Sequence, residues 1–366
     1  MEHKQLGDIA TYINGYAFKP ENRGTEGLPI IRIQDLTGNG CDLGFYDGEY
    51  PTKIEINNGD VLISWSASLG VYIWNNGKAL LNQHIFKVIF DKEMVNKEYF
   101  VFAVQHKLEE MASRTHGATM KHIVKKDFDS TLIPFPTVER QKKIADILSK
   151  VSRIIEARQK ELQHFNTLIK ARFVEMFGTV SEARFTLKTL PEFVSVDKNS
   201  IKRGPFGGAL KKDDFVGDGY LVYEQRHAIH NDFEYAKYYI TDEKYQEMIG
   251  FKVVPGDLLI SCSGVTLGRI SEVPKDAKEG IINQALLKLS LDEKIMNNVF
   301  FINQFRSDEI QGTLFGFSRG SGIPNMPSMG EVKSVRFICP PIELQNKYCS
   351  FVHQVDKSKV VCVNNP

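Results

Sequence analysis

The sequence predicts a mixed α/β (α+β) protein in which two similar domains are separated by long helices that pack as an antiparallel coiled coil. Two observations carry this prediction: an unbroken helical pattern over residues 138–178, and an internal repeat of short motifs on either side of it. A chain of 366 residues, 42% hydrophobic and 25% charged, is long enough for two such domains to have cores of their own.

Residues 1–137 are predicted to form the first domain. Short apolar runs cut by Gly, Asn and Pro predict strands at residues 28–33, 60–64, 71–74 and 84–90. A helical spacing of apolar residues follows at 97–111, and the polar segment after it predicts a loop. This domain therefore mixes strands and helices.

The long helix is predicted over residues 138–178, which contain no Pro and have their only Gly at Gly178. Its apolar residues recur every three or four positions, which keeps them on one face of a helix. They are Ile144, Ile147, Leu148, Val151, Ile154, Ile155, Leu162, Phe165, Leu168, Ile169, Phe173 and Met176. Pro136 marks the start and Gly178 the end. We expect a spacer of roughly 60 Å.

Residues 179–341 repeat the motifs of the first domain in the same order. The matched pairs are GDVLIS at 59–64 with GDLLIS at 256–261, Asn82-Gln83 with Asn283-Gln284, GATMKHI at 117–123 with GSGIPNM at 320–326, and Pro136, Glu139 and Gln141 with Pro340, Glu343 and Gln345. Because the order is kept and the spacing drifts only from 197 to 204 positions, the pattern indicates a duplication.

The second copy of the long helix is predicted to begin after Pro341 and to be truncated. Its apolar residues would cover part of the first helix in an antiparallel pair. Residues 360–366 (VVCVNNP) depart from the helical pattern. We therefore expect residues 162–176 of the first helix to lack part of their partner.

Composition narrows the class of protein. The five cysteines are scattered and never in CxxC spacing, so neither a disulfide framework nor a zinc site is predicted. Without a signal peptide or an apolar run long enough to span a bilayer, the chain is expected in the cytoplasm. A net charge of +1 leaves the partner open.

With these motifs, the chain resembles the specificity subunit (HsdS) of type I restriction-modification systems. The resemblance is carried by the two-copy layout, by GDVLIS and GDLLIS, and by IPFPTVERQKKIADIL and CPPIELQNKY, which lead into the two long helices. It extends from residue 6 to residue 359. It implies two target recognition domains, at 1–137 and 179–341, separated by spacer helices at 138–178 and 342–366.

The same resemblance implies partners. They are double-stranded DNA, bound as a bipartite asymmetric target, two methyltransferase (modification) subunits and a restriction/translocase subunit, with no membrane involved. S-adenosylmethionine would belong to the methyltransferase, so this chain is expected to hold no cofactor and no metal, and to be non-catalytic.

The sequence lacks the motifs that a methyltransferase or a nucleotide-binding enzyme would need. The only Asn-Pro pair is at 365–366, and the glycines of GNGCDLG have the wrong spacing for GxGxxG. His227 and His230 lack a cluster of Cys or carboxylates that would complete a metal site. The sequence favours a protein that reads DNA.

Candidate DNA contacts are polar, basic and aromatic residues on the predicted loops, since Arg and Lys suit guanine, and Asn and Gln suit adenine. In the first half they are Gln34, Arg114, His116, Thr119, Lys121 and His122, with Lys125 and Lys126 on phosphates. In the second half they are Arg203, Lys211, Lys212, Gln225, Arg226, His227, Ser318, Arg319, Ser321 and Asn325, with Phe206 nearby. Trp65 is also a candidate, although a core role is favoured for it.

Two other functions remain open. The duplicated domains could form a scaffold that binds proteins without sequence-specific DNA binding, which the near-neutral charge favours slightly. A self-sufficient nuclease or methyltransferase is disfavoured because its motifs are absent.

Overall fold

A computed structural model describes residues 2–40, 42–114, 123–206, 208–316 and 324–364. It divides the chain into two compact units, Met1–Ala157 and Arg158–Pro366. Within the described ranges, no helix is both long enough and apolar enough to cross a membrane.

The first unit is a mixture of short strands and helices, as the sequence predicts. Its elements are β1 (His3–Gln5), α1 (Leu6–Ile9), β2 (Thr11–Asn14), β3 (Leu28–Ile31), α2 (Ile33–Leu36), β4 (Phe45–Tyr46), β5 (Glu55–Ile56), β6 (Val61–Ser64), β7 (Gly70–Ile73), β8 (Ala79–Leu81), β9 (Ile85–Ile89), α3 (Lys97–Arg114), α4 (Lys125–Asp129), β10 (Leu132–Pro134) and the start of α5 (Val138–Phe177).

The described residues of this unit form three sheets, with strand orders β2-β9-β6-β7, β4-β3-β8-β5 and β1-β10. Strand β6 is buried on both faces, which is why it is a continuous apolar run. Successive residues of a strand point to opposite faces. Val61 and Ile63 therefore pack in the core that contains Phe100 of α3, while Leu62 packs in a second core with Leu80 of β8.

The second unit has the same plan. Its elements are β11 (Leu187–Thr189), β12 (Ile201–Arg203), β13 (Tyr220–Tyr223), α6 (Gln225–His230), β14 (Tyr239–Ile240), α7 (Asp242–Glu247), β15 (Lys252–Val253), β16 (Leu258–Ser261), β17 (Ile270–Glu272), β18 (Gly280–Ile282), β19 (Leu286–Leu289), α8 (Asn298–Phe305), α9 (Asp308–Phe315), α10 (Met329–Ser334), β20 (Arg336–Ile338) and α11 (Ile342–Asn364).

Sheet order confirms the predicted fold class and the duplication. The sheets of the second unit run β12-β19-β16-β17, β14-β13-β18-β15 and β11-β20, which matches the first unit strand for strand. Each unit contains a parallel strand pair, β3 with β8 and β13 with β18, at equivalent places. The motifs GDVLIS and GDLLIS contain the equivalent strands β6 and β16.

The long helix α5 confirms the sequence prediction. It is continuous from Val138 to Phe177, and Gly178 follows with a φ of +78°. A left-handed residue directly after the last helical turn is a common helix stop, and Gly adopts it without strain.

Helix α11 packs antiparallel against the second half of α5. Tyr348 donates a hydrogen bond to the carbonyl of Ile169 at 3.3 Å, while the later Cys362 lies 3.0 Å from the earlier Glu161. The rings of Phe173 and Phe177 pack on Tyr348 at 5.5 and 5.7 Å. An antiparallel pair of helices is therefore present in this unit.

Two details of the predicted helix pair are wrong. Helix α11 does not stop at Val360 but continues to Asn364. Residues 162–176 do not lack a partner, because Phe165, Ile169 and Phe173 pack in the core that contains α11. Most of the exposed apolar residues of α5 lie earlier, at Ile147, Leu148, Val151, Ile154 and Ile155.

Candidate nucleic-acid interface

In the second unit, several loops meet at one end of the sheet that contains β16. We call this place the second loop edge and define it by Arg203, Cys262, Ser263 and Ala285. Cys262 donates its backbone N–H to Ala285 at 2.9 Å. Met326 in turn donates to the carbonyl of Cys262 at 2.8 Å, which attaches the chain that follows α9 to the same edge.

The first unit has an equivalent first loop edge, defined by Asn14, Trp65 and His84. Trp65 donates its backbone N–H to His84 at 3.2 Å, and Ile123 donates to the carbonyl of Trp65 at 3.0 Å. Trp65 and Ile123 thus repeat the backbone contacts of Cys262 and Met326. The predicted match between GATMKHI and GSGIPNM is confirmed at its last residue.

A glycine in each unit explains why the Asn-Gln pairs recur. A Cβ added to Gly15 would lie 1.9 Å from the carbonyl oxygen of Asn82, and one added to Gly204 would lie 1.9 Å from that of Asn283. No other residue fits so close to a backbone. Because each glycine directly follows the last residue of its strand, Asn14 and Arg203 occupy equivalent positions.

The side chains of the first loop edge interlock. The indole N–H of Trp65 donates to Asn14 Oδ1 at 3.3 Å, and the Trp65 ring lies 4.9 Å from the His84 ring. Trp65 also stacks on Phe86 at 5.5 Å, so it serves the core as well as the edge. His84 has a φ of +70°, a strained conformation for a non-glycine residue.

The second loop edge is basic. The guanidinium of Arg203 lies 5.9 Å from the ring of Phe206, which is 74% exposed. Burial raises the pKa of the Cys262 thiol to about 11, and the positive charge of Arg203 opposes that rise. At the equivalent position of the repeat, the first unit presents the amide of Asn14 and the second unit presents the guanidinium of Arg203.

Several predicted contacts gather at or beside the second loop edge. The Gln225 amide donates to Ser263 Oγ at 2.7 Å, and Asn325 pairs with Ser263 through an isolated backbone bridge. Lys211 and Lys212 line a hollow of about 480 Å³ together with Asn283 and Gln284 of the neighbouring turn.

Other predicted contacts are exposed elsewhere. Lys125 pairs with Asp129 at 2.7 Å, and Arg226 pairs with Asp232 at 3.2 Å. Lys126 and Gln34 are exposed on short helices. The side chain of Arg114 and the residues His116, Thr119, Lys121, His122, Ser318, Arg319 and Ser321 lie outside the described residues.

The prediction for His227 as a DNA contact is wrong. His227 is fully buried, its Nδ1 accepts the backbone N–H of Glu224 at 2.9 Å, and its Nε2 lies 2.9 Å from the carbonyl of Tyr235. The Nδ1 atom therefore holds the start of α6, and the Nε2 atom contacts the backbone that follows the helix. Across the described ranges, no group of three or more His, Cys, Asp and Glu is arranged to bind a metal.

Asn14 and His84 belong to the first loop edge but are not among the predicted contacts. Asn14-Gly15 matches Arg203-Gly204 only when the repeat is extended toward its beginning, where the spacing falls to 189. His84 directly follows the recurring Asn-Gln pair, but it also begins a predicted strand, so it is not among the predicted loop residues. An alignment of the two repeats that begins at Asn14 would include both Asn14 and His84.

Comparison with known proteins agrees with this architecture. Residues 1–164 match the family model described as the type I restriction modification DNA specificity domain. The specificity subunit of the type I restriction enzyme EcoBI from Escherichia coli is 24% identical over 379 residues, covering 96% of this chain and 78% of that protein. The type I restriction enzyme MjaVIII specificity subunit from Methanocaldococcus jannaschii is 28% identical over 125 residues, 34% of this chain and 29% of that protein.

Solved structures share the fold. The crystal structure of a type I restriction-modification S subunit from M. genitalium aligns with a TM-score of 0.50 at 16% identity, covering 99% of this chain and 90% of that one. A structure from a study of assembly and conformational transition of the type I R-M system aligns with a TM-score of 0.52 at 15% identity, covering 98% and 91%. These comparisons confirm the predicted resemblance to the specificity subunits of type I restriction-modification systems, and the family model covers residues 1–164 of this chain.

Proposed function

We propose that each unit reads one half of a bipartite, asymmetric DNA target through its loop edge, and that the chain itself is non-catalytic. The observation that carries this proposal is the equivalence of the two loop edges. The same backbone frame holds Asn14, Trp65 and His84 in one unit and Arg203, Cys262 and Ala285 in the other. Equivalent frames with different side chains suit the reading of two different half-sites.

Helix α5 would set the unspecified gap between the half-sites. It is uninterrupted through the boundary between the units. The complete assembly would add two methyltransferase subunits, which would bind S-adenosylmethionine and methylate a flipped adenine, and a restriction/translocase subunit.

The test is to express the chain with its methyltransferase subunit in an unmethylated host and to map methylated adenines by single-molecule sequencing. We expect a two-part motif with a fixed gap. A heptad inserted after Arg153 adds about 10 Å, or about three base pairs, and should lengthen the gap accordingly. Contacts of α11 reach α5 at Arg158 and Glu161, so this insertion leaves them intact.

Replacing residues 147–153 by a different helical heptad is the matched control, because it changes sequence without changing length. An unaltered gap after the insertion would refute the spacer role. The logarithm of the affinity of the assembled complex for duplex DNA should fall linearly with the logarithm of the salt concentration. Binding that does not depend on salt would favour a protein scaffold.

A further inference from the structure

Among the described residues, no carboxylate pairs with the guanidinium of Arg203, and its buried Nε has no hydrogen-bond partner. By contrast, Arg32 and Arg226 each pair with an aspartate within 3.2 Å. A buried donor left unsatisfied is costly, so the Nε of Arg203 calls for an acceptor beyond those that the described residues supply.

The position of Arg203 is held firmly. It is the last residue of β12 and lies opposite Leu287 in the antiparallel register. The following Gly204 donates its N–H to Leu286 at 2.8 Å and packs directly on the carbonyl of Asn283. A side chain on such a strand end is pre-positioned, which favours specific over adaptive binding.

Neighbouring groups suit a nucleic acid. Phe206 presents an exposed aromatic ring beside the guanidinium. The exposed Lys211 and Lys212 line one hollow together with Asn283, on which Gly204 packs. Aromatic rings pack on bases or thymine methyl groups, and lysines bind phosphates. A cation flanked in this way is placed to reach a base edge.

Resting on the function proposed above, we propose that Arg203 is a specificity-determining residue that reads a guanine in the half-site of the second unit. An arginine fork donates two hydrogen bonds to O6 and N7 of guanine in the major groove, a pattern that no other base offers. The equivalent Asn14 has its Oδ1 bound to Trp65 and cannot present this fork. The two half-sites should therefore differ at the base read from this position.

The test compares methylation motifs of complexes containing wild-type chain, Arg203→Gln and Arg203→Lys. We expect Arg203→Gln to relax one guanine of one half-site, with about 10- to 100-fold less discrimination at that base, and to leave the other half-site unchanged. Arg203→Lys keeps the charge but loses the fork, so it should relax the same base less. Lys202→Gln is the matched control, because the preceding side chain points to the other sheet face and lies over Phe251 at 4.5 Å.

A probe with 7-deazaguanine at the relaxed position separates a base contact from a phosphate contact. The wild-type complex should bind this probe more weakly than the guanine probe. The Arg203→Gln complex should bind the two probes equally well. If the Arg203→Gln complex still recognises a two-part target and its motif is unchanged, the role of Arg203 is refuted, while the proposed function stands. Equal weakening on all sequences with a shallower salt dependence would also refute this role, since that marks a phosphate contact. Absence of any two-part target with wild-type chain would overturn the proposed function as well.

Discussion

Asp257 and Lys288 form a buried ion pair at the centre of the second unit, with Nζ 3.5 Å from Oδ2 and side-chain exposures of 1% and 8%. Asp257 also accepts the backbone N–H of Val254 at 2.8 Å, and Lys288 donates to the carbonyl of Lys252 at 2.7 Å. The pair thus ties the turn of the GDLLIS motif to the strand beside it.

The first unit repeats this arrangement. Lys87 lies 3.0 Å from Asp60 and donates to the carbonyl of Glu55 at 2.6 Å, while Asp60 accepts from Asn57 at 2.8 Å. The aspartate of the recurring Gly-Asp motif therefore has a structural role in both units.

We expect Asp257→Ala to destabilise the second unit by about 3–5 kcal/mol, because it leaves the ammonium of Lys288 buried without a counter-charge. Asp60→Ala should cost less, since Asp60 is 25% exposed. Calorimetric unfolding of both variants, with the exposed Asp276→Ala as control, measures the difference. Equal losses for Asp60 and Asp257 would contradict the role of burial.

Gln345 joins the start of α11 to the rest of the second unit. Its fully buried amide accepts the N–H of Asn297 at 2.9 Å and donates to Pro340 at 2.8 Å. Gln345→Ala leaves these backbone groups unpaired, so we expect a loss of about 2–3 kcal/mol in unfolding free energy. Exposed Gln354→Ala on the same helix should be nearly neutral. Denaturant titration compares them, and a neutral Gln345→Ala would refute the assignment.

The two halves of α5 should respond differently to truncation of apolar side chains. Phe173→Ala removes a ring that packs on Tyr348 and Phe300, and should cost about 3–5 kcal/mol. Ile154 is 53% exposed, so Ile154→Ala should change the stability of the chain by less than about 0.5 kcal/mol. Thermal unfolding of the chain alone measures both. A large loss with Ile154→Ala would show that this face is covered.

Cys262 and Cys349 should resist alkylation in the native chain. Burial raises the pKa of both thiols to about 11, so at pH 8 they remain protonated, and the thiolate is the reactive form. Raising the pH toward that pKa should speed their reaction, as should unfolding in urea. Iodoacetamide labelling followed by mass spectrometry gives the rate at each cysteine. Fast labelling at pH 8 without denaturant would contradict the burial of these thiols.

Much of the fold could be predicted because local chemistry encodes it. The three-and-four spacing and Gly178 define α5, and the recurrence of Gly-Asp and Asn-Gln reveals the duplication in the sequence alone. These signals survive because a helix face, a tight turn and a glycine against a backbone each require particular residues at particular spacings.

The residues of the two loop edges could be predicted only in part. His227 has the sequence context of a loop contact, but tertiary packing encloses it, with both ring nitrogens satisfied within 3.0 Å by the backbone. Asn14 and His84 lie 70 positions apart and both contact Trp65, because β2 and β9 pair in one sheet. Burial and distant pairing depend on the whole chain, so a single segment does not report them.

By itself, the sequence determined the α/β class, the duplicated plan, the long helix and the resemblance to type I specificity subunits, since all are recorded in local patterns and their order. Only the tertiary structure decided which part of α5 is covered, that α11 continues to Asn364, and that Asn14 and Arg203 occupy the same position of the repeat. The physical reason is that close packing and hydrogen-bond satisfaction are properties of surfaces brought together by folding, and neighbours along the chain do not specify them.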